Sequence, residues 1–231
     1  MKTGTLYGIS VGPGDPELLT VKAINKLNSI SIIATPRTKS GKTMALDIAS
    51  KAIDMKDKDI LYLDFEMSKD AKVLEASHKE QAQKLEQYLA AGKDVAMLNI
   101  GDASLYSTFS YINDIIVADG YESIVIPGVT SFCAVAAELG QSLTTMNEPL
   151  TIIPGGSDDL KKLLASSGSK VIMKPASAIN QIKKTLNDMN LLKNTKAVCN
   201  CGLNTQKVYE NVEKIPDNGD YFITLLVKND F

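Results

Sequence analysis

L-N-I-G-D-A-S-L-Y-S-T-F, residues 98–109, is the stretch on which the fold turns. An apolar run over residues 95–100 stops at Gly101-Asp102, a short polar turn follows, and an apolar pattern resumes at Phe109 with helical spacing. A strand that ends in a loop and hands over to a helix is the repeating step of an α/β sheet. Ligands of such sheets sit outside the carboxyl ends of the strands, so Gly101-Asp102 is a candidate floor for a binding site. The same two residues also suit an ordinary turn, with glycine for backbone freedom and aspartate as a helix cap.

The sequence before and after repeats the step. Residues 6–11 read as a strand, broken by Gly12-Pro13-Gly14-Asp15-Pro16 ahead of helical spacing over 17–27. A second strand at 31–34 is cut by Thr35-Pro36-Arg37, and a polar basic loop at 38–43 leads into a helix at 44–55. A third strand at 60–63 precedes a long amphipathic helix over 70–91. After the strand at 95–100 and a helix at 109–118, a fifth strand at 123–126 closes on Pro127-Gly128-Val129-Thr130-Ser131 before helical spacing over 132–139. This rhythm predicts a mostly parallel sheet with flanking helices, in which the Gly-Asp and P-G-V-T-S turns share one sheet edge. A break at 140–149 introduces strands at 150–153, 170–174, 196–200 and 221–227, alternating with helices at 158–165 and 178–189. The expected organisation is two α/β domains, residues 1–146 and 147–231.

Composition narrows the chemistry. The 231 residues are 44% hydrophobic and 23% charged, which is the balance of a globular protein with a sizeable core. A net charge of −2 provides no basic field, so neither nucleic acid nor a membrane is an expected partner. The N-terminal M-K-T-G-T-L-Y-G reads as neither a signal peptide nor a membrane span, and a cytoplasmic location is expected. Cys133, Cys199 and Cys201 form no paired Cys-x-x-Cys units, and the one histidine, His78, lies in a charged helical stretch. Buried thiols, a solvated imidazole and no metal site are the expectation. No G-x-G-x-x-G fingerprint with a following acidic residue is present, which disfavours a nicotinamide-dependent oxidoreductase. The G-K-T at Gly41 to Thr43 has Pro36 where a phosphate loop needs glycine. Arg37, the sole arginine, stands in a loop after a strand and suits a bidentate grip on a carboxylate.

Four stretches together resemble the tetrapyrrole methylase family, S-adenosylmethionine-dependent enzymes acting on corrin and porphyrin precursors: Y-G-I-S-V-G-P-G-D-P-E-L-L-T-V-K-A (7–23), G-D-A-S-L-Y-S-T-F (101–109), I-P-G-V-T-S-F (126–132) and Y-F-I-T-L-L-V (221–227). Within the family, G-T-L-Y-G-I-S-V-G-P-G-D-P-E-L-L-T (4–20), F-E-M (65–67) and L-Y-S-T-F (105–109) are most similar to the branch that methylates carbon 20 of precorrin-2 or cobalt-factor II in cobalamin synthesis. Where relatives tend to show an acidic residue and an arginine before C-G, this chain reads Cys199-Asn200-Cys201-Gly202.

The resemblance implies a C-terminal mixed sheet, a homodimer, a tetrapyrrole substrate, and S-adenosylmethionine in the cleft between the domains. The positions matching the family's cofactor contacts are Pro13, Gly101, Asp102, Ala103, Leu105, Tyr106, Thr130, Ser131, Met173, Leu203 and Thr224. Asp15 and Asp102 are the candidate proton acceptors, and Arg37, Lys39 and Lys42 the candidate receptors for the substrate's carboxylates. Other readings compatible with the fold are a methylase of a different corrin position, of ribosomal RNA or of a modified histidine (diphthine) in a translation factor. The RNA enzymes usually begin with a P-I-G-N turn, which is missing here. A tetrapyrrole- or nucleoside-binding protein without turnover is a further alternative.

Overall fold

Strands rich in apolar residues and short enough to alternate with helices form two sheets, seen in a computed structural model that describes residues 2–68, 70–175, 178–217 and 222–228. The chain divides into two compact units, Met1–Thr130 and Ser131–Phe231.

In the first unit β1 (Thr5–Ser10), β2 (Ile32–Arg37), β3 (Asp59–Asp64), β4 (Val95–Asn99) and β5 (Glu122–Ile126) are parallel, in the order β3-β2-β4-β1-β5. β4 is buried along its whole length, as a strand covered on both faces must be. The cover comes from α1 (Val21–Ser29), α2 (Met44–Ala49), α3 (Ala71–Ala90) and α4 (Thr108–Ala118). Leu6, Ile32, Leu63, Leu85, Met97 and Phe109 belong to one continuous apolar cluster. Lys58 ends α1 by donating its ammonium to the carbonyls of Leu27, Asn28 and Ile30 at 2.8, 2.9 and 2.8 Å.

Several expectations change in detail. The helix expected over 17–27 is split: a 3-10 turn at Pro16–Leu18 is capped by Asp15, and Thr20 then accepts the Ala23 N–H at 3.1 Å to open α1. The second strand is not cut at Thr35 but runs through Pro36 to Arg37. Pairing of β2 with β4 ends at Ala34, so Pro36, which has no N–H, lies where only β3 is a partner. His78 is half-buried rather than fully solvated; it stacks on Tyr111 with ring centres 4.7 Å apart, and burial lowers its pKa. Of the cysteines only Cys199 is buried, while Cys133 is exposed and Cys201 half-buried. Among the described residues no helix is long and apolar enough to cross a membrane.

The second unit holds β6 (Leu150–Pro154), β7 (Ser169–Met173), β8 (Thr195–Cys199), β9 (Lys207–Tyr209) and β10 (Ile223–Val227) in the order β6-β7-β10-β8-β9. β6 and β7 are parallel and the other pairs antiparallel, so the sheet is mixed. Ile153, Leu160, Ile172, Ile182, Leu186 and Leu225 join its core, with α6 (Leu160–Leu164) and α7 (Ile179–Asp188) contributing to it. Helix α5 (Ser131–Glu138) packs on β10 and β8 and so belongs to this unit, and the break at 140–149 connects it to β6. The three-residue β9 has no apolar run to announce it. Tyr221, expected to open the last strand, lies outside the described residues.

Gly8 on β1 faces Phe109: a Cβ there would stand 2.4 Å from the ring's Cζ. Gly8→Ala is therefore expected to destabilise the protein by about 1–3 kcal/mol through overpacking, measured by urea unfolding.

Candidate functional site

Strand order points to a candidate site before any side chain does. β1 leads through α1 to β2 on one side, whereas its neighbour β4 leads through α4 to β5 on the other. Connections that leave adjacent strands in opposite directions open a crevice at their carboxyl ends. The two turns there are bonded to each other: the Gly12 N–H donates to the Gly101 carbonyl at 3.2 Å and the Gly101 N–H to the Gly12 carbonyl at 2.7 Å. Both glycines are left-handed, with φ of 75° and 72°. Among the described residues nothing stands within 4 Å of the place a Cβ would occupy on Gly101. The turn after β5 joins them, since a Cβ on Gly128 would lie 2.5 Å from Ser10 Cβ and 2.9 Å from the Gly101 carbonyl oxygen.

Asp102 is the brace of this arrangement. It is buried, and its Oδ1 accepts the Ser104 N–H at 2.8 Å and the Ser104 hydroxyl at 2.5 Å, while Oδ2 accepts the Gly128 N–H at 2.8 Å. Burial pushes its carboxyl upward, but the Ser104 hydroxyl, the Gly128 N–H and the Ser104 N–H outweigh that and hold the pKa below the ordinary value. A carboxylate satisfied in this way is a poor proton acceptor, which argues against the base role expected for it. Asp15, the other candidate, accepts the Glu17 N–H at 2.9 Å as a turn cap.

Two bracing residues escaped the sequence reading. Ser10 Oγ accepts the Ala103 N–H at 2.9 Å. Asn99 accepts the Ser107 hydroxyl at 2.8 Å and donates to the Met97 carbonyl at 3.0 Å. Their signal was a polar residue at the inner end of an apolar strand, which only burial distinguishes from a solvated one. Pro13, Gly101, Asp102, Ala103, Leu105, Tyr106 and Thr130 all fall on these braced turns. Tyr106 is left-handed, with φ of 48°, a backbone state that costs a non-glycine residue on the order of 1 kcal/mol or more. Thr130 Oγ1 is buried without a hydrogen-bond partner among the described residues.

The second unit collects the remaining positions at one sheet edge. Met173 at the end of β7 is the register partner of Thr224, whose hydroxyl donates to Ser131 Oγ at 3.4 Å. Leu203 sits in the turn after β8, its N–H bonded to the Asn200 carbonyl at 2.9 Å. Lys174 and Asn200, directly after these strands, are left-handed at φ of 53° and 52°.

Of the basic loop, Arg37 forms a two-pronged pair with Asp64 and Lys39 an ion pair with Glu66 at 2.9 Å. The Lys42 N–H donates to Thr38 Oγ1 at 3.0 Å, folding the loop on itself. Among the described residues no three histidine, cysteine, aspartate or glutamate side chains converge as a metal site would need.

Residues 5–216 match the model of the family described as Tetrapyrrole (Corrin/Porphyrin) Methylases. The chain belongs to that family. Among the relatives of this tetrapyrrole methylase, the cobalt-precorrin-2 C(20)-methyltransferase of Salmonella typhimurium is 31% identical over 229 residues, covering 97% of this chain and 96% of that one. A probable cobalt-precorrin-2 C(20)-methyltransferase of Methanocaldococcus jannaschii is 38% identical over 170 residues, 73% of this chain and 71% of its own. Solved structures share the fold: a cobalt precorrin-4 methyltransferase at a TM-score of 0.75 and 19% identity, covering 97% of this chain and 94% of its own, and the uroporphyrin III C-methyl transferase of Thermus thermophilus at 0.73 and 19%, covering 98% and 92%.

In this methylase Asp102→Ala is expected to weaken S-adenosylhomocysteine binding on the order of tenfold, about 1.4 kcal/mol, by calorimetric titration. Affinity equal to that of the unaltered protein would reduce Asp102 to a helix cap. Because folding lowers the Asp102 pKa, its stabilising contribution is complete above the ordinary carboxylate value of 3.8 and is lost as the pH falls through the folded value. Asp102→Asn should accordingly flatten the acid limb of the melting temperature against pH.

Proposed function

We propose that this protein is an S-adenosylmethionine-dependent C-methyltransferase that methylates carbon 20 of precorrin-2 or cobalt-factor II in corrin-ring synthesis. The observation that carries the reading is the braced edge at Gly12, Gly101 and Gly128, with free space at the Cβ position of Gly101, in a chain whose relatives are named for that reaction. The residues present fit the cofactor. In the first unit, taken by itself, the free space at the Cβ position of Gly101 and the unpartnered Thr130 hydroxyl suit the polar methionine end, and in the second unit Met173 and Leu203 are residue types suited to the adenine. Bound there, S-adenosylmethionine would supply an electrophilic methyl group.

The chain's task is then to align and dehydrate. Carbon 20 of a reduced tetrapyrrole belongs to an enamine-like system, so no activated side-chain nucleophile is needed. Rigid placement of two reactants can contribute about 7–11 kcal/mol to lowering the barrier, and the bonded turns are suited to such placement. Asp102 holds those turns rather than receiving the proton, which leaves Asp15 as the remaining carboxylate candidate. Arg37, Lys39 and Lys42 offer cations to the substrate's acetate and propionate groups. A homodimer and a cytoplasmic setting are carried over with the family.

Incubation with S-adenosylmethionine and, side by side, precorrin-2 and cobalt-factor II should transfer one methyl group, located at carbon 20 by isotope-edited NMR. A methyl group at another carbon, or none on either ring, would overturn the assignment.

A further inference from the structure

Arg37 is both paired and available. Arg37 and Asp64 are the last register partners of β2 and β3. The pairing is side-on: Nε donates to Asp64 Oδ1 at 2.9 Å and Nη2 to Oδ2 at 2.7 Å. A guanidinium has five N–H donors in a planar fork, and this contact uses one edge of it. The end formed by Nη1 and the outer N–H of Nη2 has no partner among the described residues. The guanidinium carbon also lies 4.8 Å from the centre of the Tyr62 ring, which supports one face of the plane.

Asp64 is itself anchored. Its N–H donates to Gln81 Oε1 at 3.2 Å, and Gln81 on α3 is buried. The pair is nonetheless exposed, with 38% of the Arg37 and 52% of the Asp64 side chain accessible. Exposed ion pairs contribute little to stability, whereas fixing the long arginine side chain in one orientation removes an entropic cost from any later binding event. The position fits the site: Ala34 pairs with Met97, and Arg37 lies as far beyond Ala34 on β2 as Ile100 lies beyond Met97 on the neighbouring β4. The fork therefore stands on the same carboxyl edge as Gly101.

We propose that Arg37 is a pre-aimed receptor for one acetate or propionate carboxylate of the tetrapyrrole, with Asp64 as the positioning residue that holds its Nε edge and leaves the Nη1–Nη2 end for the substrate. Lys39 already pairs with Glu66, so the further positive charge that a second carboxylate at this guanidinium requires comes from Lys42, which has no ion-pair partner among the described residues. The inference rests on the tetrapyrrole reading given above. It differs from a simple exchange, in which substrate would displace Asp64 and the aspartate would act as a competitor.

Steady-state methylation of precorrin-2 by the Arg37→Ala, Asp64→Ala and doubly substituted proteins separates these cases, with S-adenosylhomocysteine titration as control. Asp64→Ala should raise the KM for precorrin-2 about tenfold with kcat and S-adenosylhomocysteine affinity unchanged. Arg37→Ala should raise KM at least as much, and the double variant no more than Arg37→Ala alone, because Asp64 acts only through Arg37. A KM for Asp64→Ala that is unchanged or lowered, or effects that add in the double variant, would overturn the inference. Should Asp64→Ala fold poorly, Asp64→Asn must still raise KM, and its failure to do so would count equally against it. Absence of turnover by the unaltered protein defeats the tetrapyrrole reading instead, and an unchanged KM for Arg37→Ala defeats the receptor itself.

Discussion

Two loops that leave different strands are held together by one buried carboxylate, and backbone bonds tie in a third. Asp102 accepts from its own turn through Ser104 and from the turn after β5 through Gly128, while the neighbouring Gly101 exchanges backbone bonds with Gly12 at the end of β1. A buried charge left unsatisfied would be costly, so this carboxylate stays in place only while its donors stay with it. Rigidity at this edge is thus a condition of burial. It is also what a reaction that depends on alignment needs.

Glycine makes the approach possible. Gly12 and Gly101 occupy backbone states that a Cβ would strain, and Gly128 lies too close to Ser10 for any side chain. The acidic residue and the glycines are parts of one device: the glycines bring backbones within bonding distance and Asp102 locks them there. The same bonding, from the Ser104 hydroxyl and the Gly128 and Ser104 N–H groups, holds its pKa below the ordinary value. Arg37 at the end of β2 and Lys39 just after it follow the same logic, with Asp64 at the end of β3 and Glu66 beyond it as their acidic partners.

Much of this was legible in the chain. The alternation of apolar runs with helical spacing announced the parallel sheet, and Gly12-Pro13-Gly14-Asp15, Gly101-Asp102 and the P-G-V-T-S turn marked the strand ends where the candidate site lies. Less legible were features whose cause lies in a neighbouring element. Pro36 looked like a strand breaker because the local pattern does not say which edge of β2 lacks a partner. His78 looked solvated because Tyr111, on another helix, cannot be anticipated from its own flanks. Ser10 and Asn99 carried no motif at all.

The sequence by itself determined the fold class, the family and the turns at the strand ends, because hydrophobic period, glycine and proline act locally and leave their mark at each position. The tertiary structure alone decided what the charged residues at those turns do. Asp102 became a brace and Arg37 half of an anchored pair because their partners, Gly128 and Asp64, arrive from strands distant in the chain. The role of a charge is set by the groups that surround it in space, and only the folded sheet, with β1 between β4 and β5 and β2 beside β3, brings those groups within bonding distance.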